Sequence, residues 1–144
     1  MNVPDIFHFD FVDVDIPEFD ELSVKSWLFT VLREEDAMVV NIQYVFCNDE
    51  MLWNINKKYL NHETLTDIIT FNYNDEYDNG IAGDIFISYT RVINNAKEYN
   101  VPVKNELYRV MVHGILHLLG YDDQDTESQL TMRSKEDYYL SKIN

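Results

Sequence analysis

His113-Gly-Ile-Leu-His117-Leu-Leu-Gly120-Tyr-Asp122-Asp123 is the stretch on which the reading of this chain turns. Two histidines four apart lie one above the other on a helix face. Both imidazoles can then reach one ion at the roughly 2.0–2.1 Å that zinc requires. Gly120, three residues past His117, stops the helix and turns the chain back. The residue six past His117 can complete a three-point site, and it is Asp123. A carboxylate is an acceptable zinc ligand, and three protein ligands leave a fourth position for water. Zinc lowers the pKa of that water to about 7, which makes it a general hydrolytic nucleophile. The histidine pair alone equally suits two packed, hydrogen-bonded side chains. The glycine turn and the acid at the required offset favour the metal. The expectation is one zinc per chain on His113, His117 and Asp123, with no catalytic side chain assigned. Nickel, iron or manganese also accept imidazole and carboxylate ligands.

Outward from this stretch, the pattern alternates between strands and helices. Residues 105–119 predict the apolar helix that bears the pair. Residues 5–15 alternate polar and apolar, as a half-buried strand does. Ser23 is placed to cap a helix through Arg33, with Val24, Trp27, Leu28, Val31 and Leu32 on one stripe. Residues 38–46 read as a strand, and Asn48 or Asp49 starts a helix to Tyr59. Strands follow at 68–73 and 83–89, separated by a polar loop from Asn74 to Gly80 that permits a hairpin. Thr90 caps a helix to Tyr99, Pro102 punctuates, and Thr126 with Gln129 looks like a capping box for the last helix. The order β-α-β-α-β-β-α-α-α predicts an α+β fold: one domain over residues 1–144, with a four-stranded mixed sheet and packed helices.

Composition narrows the class. A hydrophobic fraction of 46% over 144 residues supports one core without help. Cys47 is the only cysteine, so no internal disulfide or cysteine-rich zinc finger is available, and its apolar neighbours predict a buried thiol. The acidic N-terminal stretch with Asp5, Asp10, Asp13 and Asp15 is unlike a signal peptide, and no apolar run has membrane-spanning length. A cytoplasmic location without a membrane partner is therefore expected. The net charge of -15 opposes nonspecific binding to nucleic acid, and no DNA partner is expected. Against that background, residues 91–109 are locally basic, with Arg91, Lys97, Lys104 and Arg109 against Glu98 and Glu106. A mixed-charge helix face is the simpler account of that stretch.

The motif His-Gly-x-Leu-His-Leu-Leu-Gly-Tyr-Asp resembles the signature of the YbeY family, the bacterial rRNA maturation factors. Asn56-x-x-Tyr59, then Thr66-Asp67-Ile68-Ile69-Thr70-Phe71, resembles a second block of that family. Gly83-Asp84-Ile85 and Met132-x-x-x-Glu136 resemble two more, in the family's order. The resemblance implies a zincin-like fold and one zinc held by the motif. It also implies a single-strand-specific endoribonuclease in 16S rRNA 3′-end maturation and ribosome quality control. Two departures stand out. The family's third histidine is Asp123 here, and its arginine after the tyrosine is Leu60, for which Lys57, Lys58 or His62 would have to substitute.

The bland readings of the other blocks are local. Asp67 and Asp84 suit loop and strand-start hydrogen bonding. His62 suits an exposed loop. Met132 and Glu136 suit packing plus surface charge at helical spacing. The leading expectation is a zinc-dependent endoribonuclease on rRNA of the small subunit. Lys57, Lys58 and the 91–109 bases would line the RNA path, and a protein partner would deliver the substrate to so acidic a chain. A metallopeptidase-like hydrolase is the second expectation, weakened by Gly114 where a general base would follow the first histidine. A non-enzymatic ribosome-assembly factor with a structural metal is the third, and it requires a fourth protein ligand such as Asp122 or Asp125.

Overall fold

A computed structural model describes residues 5–17, 19–60, 66–74 and 80–143. Its elements are β1 (Phe7–Phe11), α1 (Glu21–Glu34), β2 (Val39–Cys47), α2 (Asp49–Leu60), β3 (Ile68–Asn72), β4 (Ile81–Ser88), α3 (Tyr89–Tyr99), α4 (Val103–Leu118) and α5 (Thr126–Leu140). The four strands lie in the order β1-β2-β4-β3. β1 pairs parallel with β2, β2 parallel with β4, and β3 returns antiparallel to β4. Parallel neighbours need a crossover, which α1 supplies for the first pair and α2 with β3 for the second. The expected α+β fold with a mixed sheet is therefore present, including the hairpin.

Strand alternation sorts the side chains onto two faces. Ile42, Tyr44 and Phe46 of β2, with Ile85 and Ile87 of β4, join Leu28 of α1 and Met111 and Ile115 of α4 in the main core. Each such fully buried side chain contributes roughly 1.5–3 kcal/mol. Cys47 and Ile69 point the other way and pack with Leu52 of α2. Burial pushes the Cys47 thiol up to about 11, with the Asp49 charge adding to it, so the thiol stays protonated and packs as expected.

Two close approaches seat α4 on the sheet. A Cβ at Gly114 would lie 2.9 Å from Ile85 Cγ2. One at Gly83 would lie 2.7 Å from the Phe71 carbonyl oxygen and 2.8 Å from a Leu118 methyl. The buried Tyr44 hydroxyl then donates to the Met111 carbonyl at 2.9 Å, pinning the middle of α4.

Several element ends differ from the sequence reading. The first strand stops at Phe11 rather than residue 15, and Asp13 turns the chain with φ 57°. Asp20, not Ser23, caps α1: its carboxylate accepts from the Ser23 backbone N–H at 3.2 Å and the Ser23 hydroxyl at 2.9 Å. Ser88, not Thr90, caps α3, because the helix follows β4 without a loop and Ser88 is the last extended residue. Asp125 with Ser128, not Thr126 with Gln129, forms the capping box of α5. Asn48 caps α2 by accepting from Met51 N–H at 2.9 Å. His62 and most of the loop expected at 74–80 lie outside the described residues. Among the described residues, no helix is long and apolar enough to cross a membrane.

Candidate metal centre

His113 and His117 stand one turn apart on α4, with ring centroids 4.6 Å apart. Beyond them the helix closes in a paired turn. The Gly120 N–H donates to the His117 carbonyl at 3.0 Å, and the Tyr121 N–H to the Leu116 carbonyl at 3.0 Å. Gly120 takes φ +105°, which a side chain would strain. The Asn74 side chain ties this end down, donating to the Leu118 carbonyl at 3.0 Å while accepting from Ala82 N–H at 2.9 Å. The turn sends the chain back along the helix flank. Asp123 Oδ2 arrives 3.4 Å from His113 Nε2 and 3.5 Å from His117 Nε2.

This arrangement fits a divalent cation. In a tetrahedral site with bonds of about 2.0–2.1 Å, ligand atoms stand roughly 3.3–3.4 Å apart. Two of the three separations, 3.4 and 3.5 Å, lie close to that length, and all three ligand atoms lie within 4.8 Å of one another. The donor set of two imidazoles and one carboxylate suits zinc and its first-row neighbours. The side chains are 20%, 28% and 39% exposed for His113, His117 and Asp123, so the cluster opens to solvent.

The two other acids of the turn are engaged elsewhere. Asp122 Oδ1 accepts from the Asp123 N–H at 2.7 Å, which orients the backbone of Asp123. Asp125 accepts from Ser128 N–H at 2.7 Å as the cap of α5. Neither joins the cluster among the described residues. The loop is anchored from far away in sequence. Glu35, at the end of α1, accepts from Tyr121 at 2.6 Å, from Lys135 at 3.0 Å, and from the Tyr139 hydroxyl. Burial alone would raise the Glu35 pKa, but these hydrogen bonds outweigh it and hold the carboxyl below its usual range.

Glu136 departs most from the sequence reading. It is not surface charge: the residue is 5% exposed, and its Oε2 lies 2.7 Å from His113 Nδ1. Its other oxygen accepts from Arg109 at 2.9 Å, and Arg109 also donates to Asp137 at 2.6 Å. A carboxylate on Nδ1 keeps the proton there and leaves the Nε2 lone pair facing Asp123. Burial lowers the His113 pKa, but the Glu136 hydrogen bond and charge, then Asp123 and Asp67, carry it above the ordinary value.

Asp67 also differs. Thr66 organises the strand start, with its hydroxyl donating to the Ile68 carbonyl at 3.2 Å. The Asp67 carboxylate instead accepts from Asn95 of α3 at 3.3 Å, and it lines a cavity shared with His113. Burial raises its pKa, opposed by the charge of His113. Asp84 accepts from the Tyr73 hydroxyl at 3.1 Å on the sheet face opposite α4.

The two arginines of the basic stretch are paired with acids. Arg91 pairs with Asp49 at 2.8 Å, and Arg109 is held by Glu136 and Asp137. Lys97 and Lys104 remain exposed, as do Lys57 and Lys58 on α2.

A family profile described as Endoribonuclease YbeY matches residues 10–144. A protein named Endoribonuclease YbeY from Flavobacterium johnsoniae is 49% identical over 125 residues, covering 87% of this chain and 88% of that one. One of the same name from Amoebophilus asiaticus is 45% identical over 117 residues, covering 81% and 79%. A solution structure of a Thermotoga maritima protein superposes with a TM-score of 0.65 at 24% identity, covering 92% of this chain and 87% of that one.

Proposed function

The chain belongs to the YbeY family of endoribonucleases, and from that premise we propose that it is a metal-dependent hydrolase of single-stranded RNA. The ion is zinc, held by His113, His117 and Asp123. The observation that carries this reading is the convergence of two imidazole nitrogens and one carboxylate oxygen at ligand spacing, with a side open to solvent. The physiological setting that fits is the cytoplasm, with 16S rRNA 3′-end maturation and ribosome quality control as the task. A divalent ion bound there supplies Lewis acidity toward a phosphate oxygen and toward water.

The chain's own part is positioning. His113 presents Nε2 because Glu136 holds its other nitrogen. Asp123 is delivered by the Gly120 turn and the Glu35 anchor. The net charge of -15 opposes unaided capture of RNA. A protein partner of the small ribosomal subunit therefore brings substrate and enzyme together. Asp122 and Asp125 are engaged by their own caps, which argues against a closed structural site. Gly114 packs on Ile85, so the position of a peptidase base faces the sheet rather than the cluster.

The test is cleavage of single-stranded and duplex RNA by the zinc-loaded full chain, its His117→Ala variant and a chelated sample. The expected result is cutting of the single strand only, lost on chelation and in the variant. Undiminished rRNA maturation in cells carrying His117→Ala, with the metal gone, would refute the catalytic reading.

A further inference from the structure

We propose that the cavity beside the His113–His117–Asp123 cluster is a nucleobase subsite for a base bearing an exocyclic amino group, with Glu106 as its recognition group. The proposal deepens the nuclease reading and rests on it for the polymer that carries the base. The cavity has a volume of about 380 Å3 and is shared by α3, α4, α5 and the start of β3. His113 and Asp123 are part of its wall, so a bound base would flank a phosphate at the metal cluster.

Glu106 carries the argument. The residue is 6% exposed, lines the cavity, and its carboxyl is hydrogen-bonded by none of the described residues. The nearby Arg109 is already held by Glu136 and Asp137. Its oxygens keep solvent contact through the cavity rather than lying sealed, so they are open to a ligand donor that enters there. Burial pushes the Glu106 pKa up, the Asp67 charge adds to this, and Arg109 opposes it. Asp67 has one side-chain donor, Asn95, and keeps further lone pairs for a ligand.

Ionised carboxylates only accept hydrogen bonds. The cavity interior therefore repels phosphate and matches N–H donors. An amino-bearing base such as cytosine presents such donors, whereas uracil sets a carbonyl against the carboxylates. The rim supplies what the rest of a nucleotide needs. Arg133 is exposed and makes no ion pair with a described residue, so it is available to a phosphate. Tyr99 is 60% exposed and offers an aromatic face for stacking.

CMP and UMP are titrated separately into the zinc-loaded full chain and into Glu106→Gln and Tyr99→Ala, with binding read by calorimetry. In the wild type, CMP binds about tenfold tighter than UMP, the scale of one good base contact. Glu106→Gln is isosteric and adds a donor, so the two affinities converge. Tyr99→Ala weakens both nucleotides by a similar factor, about tenfold, and leaves their ratio unchanged. Equal affinities in the wild type, or a preference that survives Glu106→Gln, overturn the subsite. Cleavage of single-stranded RNA with no discrimination between the two bases sinks the subsite and leaves the nuclease reading standing. Discrimination without any cleavage does the reverse.

Discussion

The flank of α4 against the sheet and the flank against α5 use opposite chemistry. On the sheet side, Met111, Gly114, Ile115 and Leu118 are all buried in the core, with Gly114 close against Ile85 and Leu118 close against Gly83. On the α5 side, His113, Arg109 and Glu136 form a chain of charged hydrogen bonds that ends at the cluster with Asp123. The apolar flank fixes where the helix sits. The polar flank fixes which atom of His113 faces outward. Changes on the first should therefore register in stability alone, and changes on the second in metal affinity as well.

The largest break is expected at Gly83. Its alanine would press on the Phe71 carbonyl at 2.7 Å and on Leu118, and backbone cannot step aside cheaply. Gly83→Ala is expected to lose roughly 3 kcal/mol in urea unfolding. Gly114→Ala meets only the ends of the Ile85 and Ile68 side chains and should lose less, about 1–2 kcal/mol. A loss at Gly114 as large as at Gly83 would mean that the helix cannot shift on the sheet.

On the polar flank, Glu136→Gln should cost about 1–2 kcal/mol in urea unfolding, because the buried carboxylate loses its charge-assisted bonds to Arg109 and His113. Metal affinity should fall by about 10–100-fold, the range typical for partners of metal-binding histidines. Competition with a chromogenic chelator measures it, and unchanged affinity would show that the tautomer of His113 is set without Glu136.

The smallest effect concerns the loop anchor. The folded pKa of Glu35 is depressed, so its stabilisation is present above the ordinary carboxylate range and is lost as pH falls through the lowered value. At neutral pH, Glu35→Gln should cost about 1 kcal/mol. The gap to wild type should close on acidification, and a gap that widens in acid would reverse the sign assigned to Glu35.

The same contrast explains what the sequence could disclose. The apolar flank and the strands follow from periods of 3.6 and 2, so the α+β sheet and the helix bearing His113 and His117 were legible. Gly120 was legible because few other residues stop a helix with positive φ. Glu136 was not, because its partner lies 23 positions away and its spacing from Met132 is also that of a surface pair. Glu35 meets Tyr121 across 86 positions, with no local pattern to mark it. The helix caps were misplaced by two or three residues at α1 and α3, where neighbouring hydroxyl and acid side chains compete and the end of the preceding extended segment decides. In the basic stretch at 91–109, Arg91 and Arg109 pair with Asp49, Glu136 and Asp137, partners far away in sequence that leave no local mark in it.

Everything at this site turns on one ion shared by His113, His117 and Asp123. Elemental analysis of the purified wild type and of Asp123→Ala tests it most directly. A single ion per chain is expected in the wild type, and its loss in the variant. Full metal content retained in Asp123→Ala would place the third ligand elsewhere and contradict it.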